Sequence, residues 1–244
     1  MSEKDWFIDW FNTSYYHILY QNRNESEAKE FIINLMNHLD LDSDSNILDL
    51  ACGKGRHSKT LNELGFEVLG VDLSENSIRE AQKWSSDSLS FEVHDMRCKI
   101  ANRQFNAIFN LFTSFGYFDT FNENQLVCEA MHEMLEAGGK LVIDFMNVFK
   151  VISSLVREEE KKINGINFKI SRNHDDSHIF KHIKFSDKGN DFQFTERVQK
   201  LRLEDFQSLL EPYFIIEDIF GSLDLKPFIL EKSDRLIIIA SRKE

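Results

Sequence analysis

Cysteine is scarce in this chain. Cys52, Cys98 and Cys128 are the only three in 244 residues, an odd number with no CxxC pairing. That excludes a disulfide framework and offers no zinc-ligand spacing. Long apolar runs are missing as well: no stretch approaches the roughly 20 residues that span a bilayer. The opening Met-Ser-Glu-Lys-Asp lacks the apolar core of a signal peptide. A cytoplasmic protein with reduced thiols and no membrane contact is expected. Basic charge is in deficit too, with 29 Lys and Arg against 41 Asp and Glu and a net charge of −12. Enzymes of nucleic acids need basic surfaces to neutralise phosphates, so DNA and RNA are disfavoured as partners. Lys161, Lys162 and Lys169 lie fairly close in sequence, but such a cluster reads as a solvated face.

What the chain does contain is material for a core: 42% apolar residues, including 22 Phe. Its length suits one sizeable α/β domain, alone or with an insertion. Residues 1–40 read as an N-terminal helical cap, with Trp6, Trp10 and Phe11 on one face and Ala28, Phe31, Ile32, Leu35, Met36 and Leu39 at helical spacing. Strands and helices then alternate. Strands are predicted at 47–51, 66–71, 89–94, 105–111 and 140–145, and helices at 57–64, 74–84 and 123–136. Gly65 and Gly138-Gly139 stand where helices should stop, and Ser74 with Ser77 where one should start. Such alternation specifies a parallel sheet with helices on both faces.

The period changes after Lys150. Ile166, Phe168 and Ile170, then Ile179, Ile183 and Phe185, then Phe192, Phe194 and Val198 alternate as half-buried strands, with a turn at Asp187-Lys-Gly-Asn190. Residues 151–199 are therefore expected as an inserted antiparallel meander. A helix at 203–210 and strands at 213–219 and 236–240 complete the main unit, which comprises 41–150 and 200–244.

The strongest motif is Ile47-Leu-Asp-Leu-Ala-Cys-Gly-Lys-Gly-Arg-His57, a strand entering a glycine turn and then a helix. Gly53 and Gly55 allow the tight turn and the close approach of a ligand to the backbone. Twenty-three residues beyond Asp49, the second strand ends in Gly70-Val-Asp72, where a carboxylate can accept both ribose hydroxyls of an adenosine. A dinucleotide site would place a diphosphate here. Asp49 would repel it by roughly 1 to 4 kcal/mol at 4 Å for effective dielectric constants of 80 to 20. S-adenosylmethionine brings a sulfonium and an ammonium instead, so Asp49 favours that cofactor, while the amides of the turn can meet its carboxylate.

These residues resemble the first motif of the class I S-adenosylmethionine-dependent methyltransferases, and the resemblance extends over roughly residues 15–150 and the last forty. It implies a Rossmann-like, doubly wound α/β fold with a seven-stranded, mostly parallel sheet. It also implies Asp49, Ala51, Gly53, Gly55 and His57 around the first turn, with His57 standing where a third glycine is common. Asp72 would hold the ribose, Leu73 would lie against the adenine, Asp95 would meet its amino group with Met96 beside the ring, and Asn110 would sit at the end of the fourth strand. Tyr16, Tyr20 and Arg23 resemble the N-terminal segment of small-molecule members, in which an Arg can pair with the methionine carboxylate.

The stretch Asn110-Leu-Phe-Thr-Ser-Phe-Gly-Tyr117 is more loosely similar to bacterial amino-sugar N-methyltransferases. It implies Phe112, Ser114 and Phe115 as an acceptor pocket, with Asn147 adding a hydrogen bond. Aromatic faces there would favour an amine. Methyl transfer chiefly requires alignment and exclusion of water, and Asp144, Tyr117 or a histidine is placed to take or position the amine's proton. S-adenosylhomocysteine would be the product. No metal is expected: His174, His178 and His182 recur every four residues, but a turn is expected at Asp175–Ser177 between them. A small-molecule acceptor and a monomer or homodimer complete the expectation. Two alternatives stay open on the sequence, a non-catalytic nucleoside-binding or dimerisation module and an NAD-dependent oxidoreductase.

Overall fold

The run Asn46–Leu50 forms strand β1, buried from Ile47 to Leu50, the pattern of a strand covered from two sides. The computed structural model describes residues 6–21 and 25–244. Three helices lead in: α1 (Trp6–Phe11), α2 (Ser14–Leu19) and α3 (Glu25–Leu39). The cap read as residues 1–40 is thus broken, since Thr13 interrupts it and accepts the Tyr16 amide as the N-cap of α2.

The main sheet is built from β1, β2 (Glu67–Asp72), β3 (Leu89–Val93), β4 (Phe105–Asn110), β5 (Leu135–Met146), β10 (Phe214–Phe220) and β11 (Arg235–Arg242). Their order is β10-β11-β5-β4-β1-β2-β3, parallel from β5 to β3 and antiparallel at β11 and β10. Helices α4 (Arg56–Glu63), α5 (Glu75–Ala81), α6 (Phe121–Met134), α7 (Val148–Ser153) and α8 (Leu203–Leu210) follow the strands. The pattern's parallel sheet with helices is present, in the Rossmann-like, seven-stranded form that the family resemblance implies. Leu48, Ile108 and Ile143 pack one face with Phe206 of α8 and Met131 of α6, while Ile47, Phe109 and Val142 pack the other with Leu35 of α3 and Leu61 of α4.

The largest boundary difference from expectation lies between α6 and β5. Helix α6 stops at Met134, four residues before Gly138, and the strand begins at Leu135. Pairing with β4 shifts between Phe105 and Ala107, and Gly138, at φ 73°, takes up the irregularity inside β5.

Between α7 and α8 the chain forms a second sheet, in the order β6 (Glu158–Ile163), β7 (Ile166–His174), β8 (His178–Asp187), β9 (Asn190–Gln199). Lys188 and Gly189, at φ 49° and 79°, make the two-residue turn between β8 and β9 that matches strand twist. Strand β6, Glu-Glu-Glu-Lys-Lys-Ile, escapes the hydrophobic pattern because it is a charged edge strand. The apolar face of this sheet, Ile166, Phe168, Ile170, Ile183 and Phe185, packs on Trp10 and Leu19 of the N-terminal helices. Among the described residues no helix is long and apolar enough to cross a membrane.

Candidate active site

Strand β1 delivers the chain into a left-handed turn at the carboxyl edge of the sheet, where ligands bind in open α/β folds. Ala51, Gly53 and Gly55 have φ of 64°, 57° and 75°. The two glycines serve different ends. A Cβ on Gly53 would meet nothing within 4 Å, because Gly53 faces a cavity. A Cβ on Gly55 would lie 2.5 Å from Cε1 of Phe91, because Gly55 packs inward against β3.

Asp72, at the end of β2, closes this turn. Its Oδ2 accepts the amide of Gly53 at 2.9 Å and its Oδ1 the amide of Ser74 at 2.8 Å. Burial raises its carboxyl above the usual carboxylate range, and the two amides act against that rise. Each oxygen keeps a further lone pair for a hydroxyl donor.

Asp49 lies beneath the turn, not on the cavity. It is 1% exposed, and Ser58 Oγ donates to its Oδ2 at 2.5 Å. Burial pushes its carboxyl up to about 6, against the hydrogen bonds from Ser58. Asp49 therefore contributes to the rigidity of the turn through Ser58 and has no direct access to the cavity. Asn110, fully buried, likewise supports from below, donating Nδ2 to the carbonyl of Leu50 at 2.9 Å.

The cavity, about 390 Å³, is of ligand size. Of the residues singled out in the sequence, it collects Ala51, Gly53 and His57 from the first turn and Asp72, Leu73, Asp95 and Met96 from the ends of β2 and β3. Phe112, Ser114 and Tyr117 come from the β4–α6 loop, and Tyr16 and Tyr20 from the α2 segment. Asp95 is held by Arg97, whose Nε and Nη2 reach it at 3.1 and 2.6 Å. Burial would raise this carboxyl, but the bonds from Arg97 hold it below its ordinary value.

Phe112 and Thr113 are both non-glycine residues at positive φ, 65° and 60°. Strain of this kind persists where surrounding bonds fix it. Here Asp144 supplies them: its Oδ2 accepts the Phe112 amide at 2.9 Å and its carbonyl accepts the Thr113 amide at 3.0 Å. The same side chain is fully buried and paired with Arg235 at 2.7 Å.

The structure thus does not bring Asp144 to the cavity as a proton acceptor, because its carboxylate is spent on Arg235 and the loop. Phe115 is fully buried against Phe206, 5.4 Å between centroids, and does not line the acceptor space. Asn147 caps α7 and donates to the carbonyls of Leu230 and Ser233, both at 2.7 Å. Gly55 and Asp49 stand behind the cavity wall as described, and Arg23 lies outside the described residues. His174 and His178 flank the turn between β7 and β8, and no group of three His, Cys, Asp or Glu among the described residues could hold a metal.

Sequence reasoning missed an aromatic wall. Phe7 and Phe11 of α1 line the cavity with Tyr16 and Tyr117. Ring centroids stand 4.8 Å apart for Phe11 and Tyr16 and 5.4 Å for Phe11 and Tyr117. The available signal was the i, i+4 pairing of Phe7 with Phe11, which marks one helical face. Arg56, with its guanidinium 4.6 Å from the Phe112 centroid, was read only as part of the motif.

Residues 41–198 match the family described as "Methyltransferase domain". The chain belongs to this methyltransferase family. The resemblance to the class I S-adenosylmethionine-dependent enzymes drawn from the glycine turn holds, and with it S-adenosylmethionine as the cofactor class. Two curated relatives are a dTDP-3-amino-3,4,6-trideoxy-alpha-D-glucopyranose N,N-dimethyltransferase of Streptomyces venezuelae, 33% identical over 41% of this chain, and a putative methyltransferase of Bacillus subtilis, 38% identical over 43%. The matches span 42% and 44% of those proteins. Two solved structures share the fold. One is an S-adenosylmethionine-dependent methyltransferase from Clostridium acetobutylicum, with TM-score 0.79, 21% identity and coverage of 93% and 95% of the two chains. The other is an S-adenosylmethionine-bound amino pentose methyltransferase from Micromonospora echinaspora, with TM-score 0.71, 17% identity and coverage of 95% and 98%.

Proposed function

We propose that this protein is an S-adenosylmethionine-dependent methyltransferase that methylates the nitrogen of a small amine. The observation that carries the reading is a single cavity with two unlike ends, a glycine turn closed by Asp72 and an aromatic wall of Phe11, Tyr16 and Tyr117. The cofactor fits the first end. Gly53 leaves open the space that a Cβ would fill, and Asp72 offers a carboxylate to ribose hydroxyls. Leu73 and Met96 supply apolar surface for the adenine, and Asp95 an acceptor for its amino group.

S-adenosylmethionine, when bound, supplies a methyl carbon already activated by a sulfonium. The chain's own residues then need to align the acceptor and keep water away. Phe11, Tyr16 and Tyr117 line this end of the cavity, and an aromatic face turned to a positively charged centre favours it by about 0.5 to 2 kcal/mol. Tyr117, whose hydroxyl donates to the carbonyl of Thr113 at 2.8 Å, is fixed in orientation and can accept a hydrogen bond from an amine N–H. Phe112 and Ser114 border the acceptor. An amine agrees with the chemistry named for the Streptomyces venezuelae relative, and a small molecule agrees with the net charge of −12.

The test is calorimetry with S-adenosylmethionine, S-adenosylhomocysteine and NADH, followed by mass-spectrometric turnover against a panel of amines and amino sugars. Adenosyl ligands should bind and NADH should not, and at least one amine should gain 14 mass units, the increment of CH₂. Binding of NADH alone would refute the proposal, and adenosyl binding with turnover only of hydroxyl acceptors would refute its amine half.

A further inference from the structure

Among the described residues, no side chain of the four-stranded sheet lines the cavity, yet the sheet carries part of the cavity wall. Helix α1 brings Phe7 and Phe11 to the cavity, and the α2 segment brings Tyr16 and Tyr20. Both helices rest on the sheet through Trp10 and Leu19. Apolar packing of this kind tolerates sliding, whereas hydrogen bonds to a buried charge fix one arrangement.

Such a charge is present. Glu196 on β9 accepts the Trp10 indole N–H at 2.7 Å and the Tyr20 hydroxyl at 2.7 and 2.8 Å on its two oxygens. Lys181 stands directly opposite it on β8, with Nζ 3.6 Å from the carboxylate. That Nζ also donates to the Tyr20 hydroxyl and lies 4.4 Å from the centroid of its ring. The pair is largely enclosed, with side chains 15% and 14% exposed. Burial and the neighbouring Glu196 raise the Tyr20 phenol well above its ordinary value, which keeps it a hydrogen donor. One carboxylate therefore gathers a residue from α1, a residue from the end of α2 and a lysine of the sheet.

We propose that Glu196 is a positioning residue of the cavity, which locks the α1–α2 segment onto the inserted sheet and so sets how long a bound adenosyl ligand is retained. The inference rests on the reading of the cavity as an S-adenosylmethionine site only for its ligand arm. Tyr16 and Tyr20 line the same cavity as the glycine turn, so an adenosyl ligand there is held while those helices stay seated. Exchanging the carboxylate for an amide leaves one acceptor oxygen to Trp10 and Tyr20 and removes the charge opposite Lys181, so opening becomes easier and dissociation faster.

The experiment uses the full chain and two readouts. Dissociation of S-adenosylhomocysteine is followed by stopped-flow tryptophan fluorescence for the wild type, Glu196→Gln, Tyr20→Phe, the double variant and Lys169→Gln, a change at an exposed position of the same sheet. Glu196→Gln should raise the dissociation rate at least about tenfold. Tyr20→Phe should raise it similarly, the double variant should add little, and Lys169→Gln should match the wild type. Hydrogen exchange of the ligand-free proteins reads the lock directly. Glu196→Gln should speed exchange across residues 6–20 and leave β1 and β2 protected. Unchanged exchange in that segment, or a dissociation rate within twofold of the wild type, overturns the proposal. If the wild type binds no adenosyl ligand, the proposed function fails, while the exchange measurement still decides the role of Glu196.

Discussion

Asp144 and Phe112, 32 residues apart in sequence, are joined by a 2.9 Å hydrogen bond from the Phe112 amide to Asp144 Oδ2. The other oxygen accepts Nε of Arg235, 91 residues away, at 2.7 Å. An acid at the end of a parallel strand is a natural candidate for chemistry, but this one is structural. Replacing Asp144 by Ala should destabilise the fold by roughly 3 to 5 kcal/mol, because Arg235 and the strained loop lose their partner together. Urea denaturation measures it. A loss under about 1 kcal/mol would contradict the buried pair described for Asp144.

The two glycines of the first turn should separate stability from binding. Gly55→Ala forces a Cβ into Phe91 and should cost roughly 2 to 4 kcal/mol. Gly53→Ala meets open space and should cost only about 1 to 2 kcal/mol for its left-handed backbone. In ligand binding the order reverses, since the new methyl at 53 projects into the cavity. Calorimetry with S-adenosylhomocysteine should show at least about a tenfold loss for a Gly53→Ala protein that still folds.

Asp72→Ala should weaken adenosyl binding by about ten- to a hundredfold, the worth of one or two hydrogen bonds to a charged acceptor. The contribution is specific to the ribose, so adenine alone should bind the variant and the wild type equally. Competition calorimetry compares them, and an equal loss for adenine would place Asp72 elsewhere than at the ribose.

Asp49 gives the protein a pH dependence of definite sign. Its folded carboxyl is raised from 3.8 to about 6. The stability linked to it is therefore fully present below pH about 4 and lost as pH rises through about 6, a change of roughly 3 kcal/mol. Asp49→Asn should make the ligand-free protein more stable than the wild type at pH 7.5, with the difference vanishing near pH 4. Binding a sulfonium ligand should draw the carboxyl toward ionisation, so calorimetry at pH 6 in buffers of different ionisation heat should register proton release. Thermal melts that fail to separate the two proteins above pH 6 would show that Asp49 is not perturbed by burial.

The fold was legible in the sequence where one period dominated. Ile47–Leu50 and its successors alternate with helices, and the glycine turn with Asp72 marks one end of the cavity. The misses share a physical cause. Asp144 and Asn147 look like site residues because they end a strand at the right edge, yet their partners, Arg235, Leu230 and Ser233, come from the far end of the chain, which no local pattern reports. Phe115 reads as one more ring in an aromatic loop, and only the packing of Phe206 shows that it turns inward. Strand β6 hides behind its charges. The wall formed by Phe7 and Phe11 depends on where a six-residue helix docks, and a helix that short has its position set by tertiary contacts.

The cavity takes one end from strand termini of the main sheet, and at the other two helices of six residues each, seated by side chains on a separate sheet, join Tyr117 of the β4–α6 loop. Part of the cavity's shape therefore depends on residues remote from it. Grafting the first twenty residues together with β6 to β9 from a relative should move that wall as one cassette, shifting acceptor preference and adenosyl retention together.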